Sequence, residues 1–213
     1  MTCCQCEGIE KFFGAKEANR RLRRYRNKGP LKTTRILLEV IKAHGVEGMR
    51  LLDIGGGVGA IQHELLSAGL ARATDVDASS AYIEAAKEEA QRREQADRIH
   101  FRYGNFVDLS SEIETVDIVT LDRVICCYHD MGALVKLSSA RARRLYGLVF
   151  PRDNWFVKIG AMFGNFILWI SRNPFRTFVH PTEAVDSVVR SNGLERRFHR
   201  KTALWQVAVY ERK

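Results

Sequence analysis

The stretch Leu51-Leu52-Asp53-Ile54-Gly55-Gly56-Gly57-Val58-Gly59 decides the fold. Leu51 to Ile54 is a run of strand length, and the glycines behind it end the strand in a turn. A helix over about Ala60 to Ala68 follows. Glycines at 55, 57 and 59 let the backbone turn tightly and approach a ligand where a Cβ would collide. Asp53 stands at the carboxyl end of the strand, the end at which open α/β sheets bind their ligands. The pattern predicts a polar, nucleotide-like ligand.

The next decisive residue is Asp77. Ala71 to Asp77 reads as a second strand and Ala78 to Arg93 as a helix. An acid about 20 residues beyond the glycine turn of a nucleotide-binding βαβ unit takes the ribose hydroxyls. Asp77 stands 18 residues after Gly59. The spacing Asp-x-Gly-x-Gly-x-Gly departs from the dinucleotide fingerprint, and its carboxylate repels a pyrophosphate but suits a cation.

These residues resemble the class I S-adenosylmethionine (SAM)-dependent methyltransferases. The resemblance implies an α/β, Rossmann-like, doubly wound sheet of seven strands, mostly parallel with an antiparallel edge strand. It implies SAM as cofactor and S-adenosylhomocysteine (SAH) as product. In that family the glycine turn, here Asp53, Gly55, Gly57 and Gly59, holds the methionine part, and the acid ending the second strand, here Asp77 with Ala78 beside it, holds the ribose. Arg98 to Tyr103 reads as a third strand ending in Gly104-Asn105-Phe106. The family often has Gly-Asp there, against the adenine; Asn105 keeps an amide oxygen able to accept from the adenine amino group. Val116 to Asp122 reads as the fourth strand, and the family places residues beside the transferred methyl at its end, here Asp122-Arg123-Val124-Ile125.

The flanks predict a cap over residues 1–44 on a SAM-binding core over 45–213. Ile9 to Asn27 reads as one helix crowded with Arg20, Arg21, Arg23, Arg24 and Arg26; Leu31 to Ala43 reads as a second. In similar enzymes such helices close over cofactor and substrate, with Tyr25 and Thr33 as the contacts here. Met131 to Ala142 reads as a helix, Arg144 to Phe150 as the fifth strand, Thr182 to Ser191 as a helix, and Leu194 to Tyr210 as two antiparallel strands. Between them Trp155 to Ile170 is strongly apolar, with two Trp and three Phe. It is too short, and interrupted by Lys158 and Asn165, to span a bilayer. It reads either as a helix packed on the sheet or as an apolar lid, at about residues 152–180, in peripheral contact with membrane. The lid, the Pro-bounded loop and the closing strand pair also resemble the small-molecule O-methyltransferases, most of all the magnesium-protoporphyrin methyltransferase group.

Charge is unevenly placed along the +9 chain. Residues 1–50 hold 12 basic and 5 acidic groups, residues 51–140 hold 8 and 15, and residues 141–213 hold 14 and 5. An acidic cofactor half suits cationic SAM; the basic flanks face an anionic substrate, a nucleic acid, a membrane surface, or only water. The first 20 residues hold no signal-peptide pattern, and five cysteines with adjacent pairs suit a reducing cytoplasm rather than a disulfide framework. Cys3-Cys4-x-Cys6 lacks the second pair that zinc motifs need.

The predicted chemistry is methyl transfer to oxygen or nitrogen of a small aromatic or amphipathic metabolite. His129, just past the fourth strand beside Tyr128, is the expected base, with Asp122 orienting it or the substrate and His180 as a second candidate. A catechol-type magnesium site built from Asp122 and Asp153-Asn154 sits poorly in the sequence, and no metal is predicted. RNA or protein as acceptor is the minor reading; the Asn/Asp-Pro-Pro-aromatic signature of amino-group nucleic-acid methylation is absent. A non-catalytic SAM-binding protein is the remaining alternative.

Overall fold

The computed structural model describes residues 4–213, with side chains from Glu7 onward. The Cys3-Cys4-x-Cys6 reading therefore lies outside the residues whose side chains are described. Seven strands form one sheet: β1 (Arg50–Ile54), β2 (Arg72–Asp77), β3 (Ile99–Tyr103), β4 (Val116–Asp122), β5 (Ala142–Pro151), β6 (Leu194–Lys201) and β7 (Trp205–Arg212). Their order is β3-β2-β1-β4-β5-β7-β6. The pairs among β1 to β5 are parallel, while β7 is antiparallel to both β5 and β6. This is the Rossmann-like order the sequence predicts, with one refinement. The antiparallel strand lies one place in from the edge, because the β6–β7 hairpin puts β6 outside it.

The helices are α1 (Cys4–Phe12), α2 (Ala15–Lys28), α3 (Lys32–Ala43), α4 (Ala60–Leu66), α5 (Ser80–Arg92), α6 (Phe106–Leu109), α7 (Met131–Arg141), α8 (Trp155–Ile170) and α9 (Thr182–Ser191). Alternation along the strands sends side chains to opposite faces and makes two cores. Leu51, Ile118 and Leu145 join Leu37 and Ile41 of α3 and Leu65 of α4 on one face. Leu52, Val119 and Tyr146 join Leu134 of α7 and Val185 of α9 on the other. Both faces are covered, as near-continuous apolar strands require. The strand order reverses between β1 and β4, and a ligand crevice opens beyond the carboxyl ends of strands at such a point.

The single helix predicted over Ile9 to Asn27 is two. Gly14 adopts extended backbone (φ −72, ψ −178) at the start of α2 and breaks the run. The Phe12-Phe13 pair before it is drawn into an aromatic cluster: Phe12 stacks on Phe175 at 4.8 Å, and Phe13 meets Phe175 and Tyr82. The helix after β2 starts at Ser80, two residues later than predicted, because the Ser79 hydroxyl caps it by accepting from the Tyr82 N–H. The bounds of α8 are those predicted, yet not one of its residues is buried. Among the described residues no helix is long and apolar enough to cross a membrane.

Candidate active site

The carboxyl ends of β1, β2 and β4 converge on a cavity of about 680 Å³. Its floor is the glycine turn. Gly55 and Gly57 hold φ of +65 and +60, a backbone region that side chains rarely adopt. A Cβ on Gly57 would meet nothing within 4 Å, so the peptide there faces open cavity. A Cβ on Gly56 would instead strike the carboxylates of Asp75, at 2.7 Å, and Asp53. Gly59 stands outside the cavity wall, where it caps α4 in left-handed conformation.

Four carboxylates surround this floor. Asp77 Oδ2 accepts from Gly57 N–H (3.0 Å) and Oδ1 from Ser79 N–H (2.8 Å). Each oxygen keeps a lone pair for a further donor. Asp53 Oδ1 accepts from Thr120 at 2.7 Å, while its Oδ2 is buried without a partner. Asp75 is held by Gln62 at 2.8 Å. Asp122, at the end of β4, accepts from the Thr34 hydroxyl through Oδ2, and its Oδ1 is buried without a hydrogen-bond partner. Burial pushes the Asp53 carboxyl up to about 7, against the pull of Thr120, and the charges of Asp122 and Asp77 add to it. Burial raises Asp77 to about 6 despite its backbone hydrogen bonds. Asp75 and Asp122 are raised as well, again chiefly by burial. Buried acids this short of partners suit a cationic ligand. The donor set, the open peptide at Gly57 and the unpaired Asp53 oxygen fit SAM.

One wall rises from β4. Arg123 holds φ of +63, its guanidinium lies 4.9 Å above the Trp205 ring, and it donates to Thr33 at 2.6 Å. Its loose ion pair with Asp122 spans 3.9 Å. Cys126, Cys127 and Tyr128 continue the wall, and burial helps raise the Cys127 thiol beyond the effect of its contact with Cys126. α1 and α2 close a second side with Ile9, Phe12, Phe13, Arg21 and Arg24. The roof is α8, which offers Gly160, Ala161, Gly164, Ile167 and Leu168 to the cavity.

Asp53, Gly55, Gly57, Asp77, Ala78, Asn105, Phe106, Asp122 and Tyr128 of the predicted set all line this one cavity. Asn105 is engaged: its oxygen caps α6 by accepting from Val107 N–H, and its amide donates to the Tyr128 hydroxyl at 3.1 Å. His129 is a correction. A short turn at Ile125–Cys127 swings the chain outward, so His129 is exposed and its ring lies against Tyr128, outside the cavity wall. His180 is also outside the wall; its Nε2 sits 3.0 Å from the Tyr128 carbonyl and ties the loop after α8 to the wall. Of the two cap contacts expected, Tyr25 lines the cavity, with its hydroxyl bound to Glu64 (3.0 Å), whereas Thr33 positions Arg123 and the neighbouring Thr34 lines the cavity instead. Asp153 and Asn154 are occupied in starting helices: Asp153 accepts from Thr182 N–H and Asn154 from Val157 N–H. Among the described residues no three His, Cys, Asp or Glu side chains gather as a metal site would need.

Sequence reasoning missed the roles of Arg21, Arg24 and Thr34. The arginine run was visible, but which members turn inward depends on where α2 breaks and packs. Much of that run is spent internally. Arg20 and Arg21 bind Glu17, Arg24 donates to the Gly29 carbonyl, and Arg26 bridges Glu88 and Glu89.

Residues 46–144 match the family model described as a methyltransferase domain. No curated protein matches the chain in sequence. Among solved structures, magnesium protoporphyrin IX methyltransferase from Synechocystis PCC 6803 with bound SAH is 17% identical, with a TM-score of 0.76 over 98% of this chain and 100% of that one. The same enzyme has also been solved with bound SAM. An O-methyltransferase family protein from Burkholderia thailandensis is 18% identical, with a TM-score of 0.67 over 94% of this chain and 63% of that one. A proposed RNA methyltransferase from Pyrococcus horikoshii is 14% identical, with a TM-score of 0.61 over 87% and 84%. At these identities the likeness is one of fold.

Proposed function

We propose that this chain is a class I SAM-dependent methyltransferase that moves the methyl group onto a small apolar or amphipathic acceptor held beneath α8. One observation supports this reading above the others. A single cavity of about 680 Å³ joins the carboxylate-ringed glycine turn to an apolar roof. That is room for a cofactor and a compact acceptor, and the acceptor half is greasy.

SAM supplies an electrophilic methyl group with a neutral thioether as leaving group. The rest falls to the chain. Asp77 holds the ribose hydroxyls with the lone pairs its backbone bonds leave free. The peptides of Gly55 to Gly57 cradle the methionine part, with Asp53 facing its positive charge. Ala78, Asn105 and Phe106 flank the adenine. Phe12, Phe13 and the underside of α8 keep water out, which strengthens every charge interaction within. For a hydroxyl acceptor the proton must leave during attack. Asp122 is the group in position: Thr34 orients one oxygen, the other makes no hydrogen bond and only a loose 3.9 Å ion pair with Arg123, and burial raises its affinity for a proton against the pull of Arg123 and Thr34. His129, turned outward, is not placed to do this.

RNA as acceptor is supported less well, because the arginines of α2 are largely satisfied within the molecule and the roof over the cavity is apolar. The test follows the label. SAM carrying an isotopic methyl group is incubated with the protein and a cell extract, which is then split into organic-soluble, nucleic-acid and protein fractions. Label in the organic-soluble fraction is expected. Label confined to RNA or protein overturns the acceptor assignment, and bound SAM with no labelled product in any fraction points to the non-catalytic alternative.

A further inference from the structure

The helix α8 is built inside out. At 100° per residue, its protein-facing stripe is Val157, Ala161, Gly164, Asn165 and Leu168, all half-buried and mostly small. The opposite arc carries the large side chains into solvent. Trp155 is 71% exposed, Met162 71%, Phe163 64%, Trp169 65% and Ile170 62%, with Ile159 and Phe166 between them. A helix seated on a core puts its bulk inward; here Gly160, Ala161 and Gly164 face the cavity with Ile167 and Leu168, while both Trp and all three Phe face out. Continuous apolar patches of this kind on a folded surface mark an interaction site.

The surrounding charge selects the occupant. From Arg152 to Arg176 the chain carries Arg152, Lys158, Arg172 and Arg176 against one acid, Asp153. That acid is turned onto Thr182 N–H at 3.1 Å. Glu10 of the neighbouring α1 is bound by Ser80. A second copy of the chain meeting this face about a two-fold axis would set the basic rim against itself. An anionic lipid surface meets both features at once: acyl chains take the apolar arc and headgroups take the rim. Trp155 and Trp169 stand at the two ends of the helix, where amphipathic indoles sit at a membrane–water boundary.

We propose that the outward face of α8 is a docking surface for anionic phospholipid, lying in the bilayer interface without crossing it. It follows that the cavity beneath opens beside the lipid, so that an apolar acceptor enters from the membrane rather than from water. The docking itself does not depend on the methyl-transfer reading; only the route of the acceptor does.

The test uses the whole chain, phosphatidylglycerol vesicles and phosphatidylcholine vesicles. Co-sedimentation with phosphatidylglycerol is expected, with weaker binding to phosphatidylcholine. Bromine-labelled acyl chains should quench the fluorescence of Trp155 and Trp169. The double variant Met162→Glu, Phe163→Glu changes residues outside the cavity wall. It should lose vesicle binding at least about tenfold while keeping wild-type SAH affinity, which also certifies its fold. Lys158→Glu with Arg172→Glu should lower binding to phosphatidylglycerol by about fivefold or more per charge, and leave phosphatidylcholine binding nearly unchanged. A folded monomer that ignores phosphatidylglycerol vesicles overturns the proposal. So does a lipid-free dimer that Met162→Glu, Phe163→Glu dissolves, since the face would then belong to a second copy.

Discussion

Two helices, α3 and α8, have opposite fates. α3 turns Ile36, Leu37, Leu38 and Ile41 onto the sheet and buries them, and Leu37 and Ile41 reach β5 at Gly147, where a Cβ would strike Leu37 Cδ1 at 2.8 Å. α8 is more apolar and buries nothing. The difference lies in which face carries the bulk. In α3 large residues point at small ones on the sheet. In α8 glycine and alanine, with Ile167 and Leu168, line the cavity, and most of the bulk is left for something outside the chain. Hydrophobicity therefore does two jobs here. In α3 it holds the fold, and in α8 it shapes a site and a surface.

The contrast makes predictions that run from the cavity's chemistry to its roof. The largest expected effect is at Asp122. Asp122→Asn should lower turnover by about 100- to 10,000-fold with SAM affinity little changed, while His129→Ala stays near wild type. The reverse outcome in steady-state kinetics would return the base to the outward loop. Next is the core helix. Leu37→Ala should cost about 2–5 kcal/mol in denaturant unfolding. An equally apolar but exposed α8 residue should not: Phe163→Ser should fall within about 0.5 kcal/mol of wild type. If Phe163→Ser matched Leu37→Ala, α8 would be a core helix and the comparison would fail.

Asp77→Ala should remove charge-assisted bonds worth about 1–3 kcal/mol to cofactor affinity, measured by calorimetry on protein that remains folded. The last effect is smaller and depends on pH. Asp53 and Asp77 titrate near 7 and 6, above the ordinary carboxylate range. A cation favours their ionised forms, so SAM binding should release protons and weaken as pH falls from 8 to 5.5. The unliganded fold shows the opposite trend. A carboxyl whose pKa is higher folded than unfolded binds more protons in the native state between about 4 and 7, so its contribution to stability grows as pH falls through that window. Thermal unfolding with and without SAM across this range would reveal both slopes.

The sequence made the sheet and the cofactor half legible because backbone demands are local there. A glycine turn, an acid ending each of two strands, and alternating apolar strands leave little choice of geometry. The bounds of α8 were equally readable, from the apolar run itself. Its outward face was not, since periodicity tells which residues share a face but not what lies beneath them. His129 was misread for a related reason. One short turn after β4 decides whether a side chain enters the cavity, and no sequence period encodes that. Thr33 and Thr34 are adjacent on α3, so a small change in helix phase exchanges their partners, Arg123 and Asp122.

The two covers of the cavity meet at Phe175. Phe175, just beyond the roof helix, meets Phe12 at the end of α1 and Phe13 just after it, and its backbone lies so close to Gly8 that a Cβ there would approach Phe175 N to 2.4 Å. Asn165 of α8 holds the same loop through both the N–H and the carbonyl of Thr177. The two covers of the cavity are thus stitched to one another, while Phe178 N–H and His180 fasten the loop's far end to the wall at Cys126 and Tyr128. These contacts predict that α1, the loop and α8 open together. Hydrogen exchange should find the amides of α1, α8 and the loop between Asn173 and Thr177 opening in a single cooperative unit, at a free energy below that of the sheet. If they open together, cofactor and acceptor would pass through the same opening.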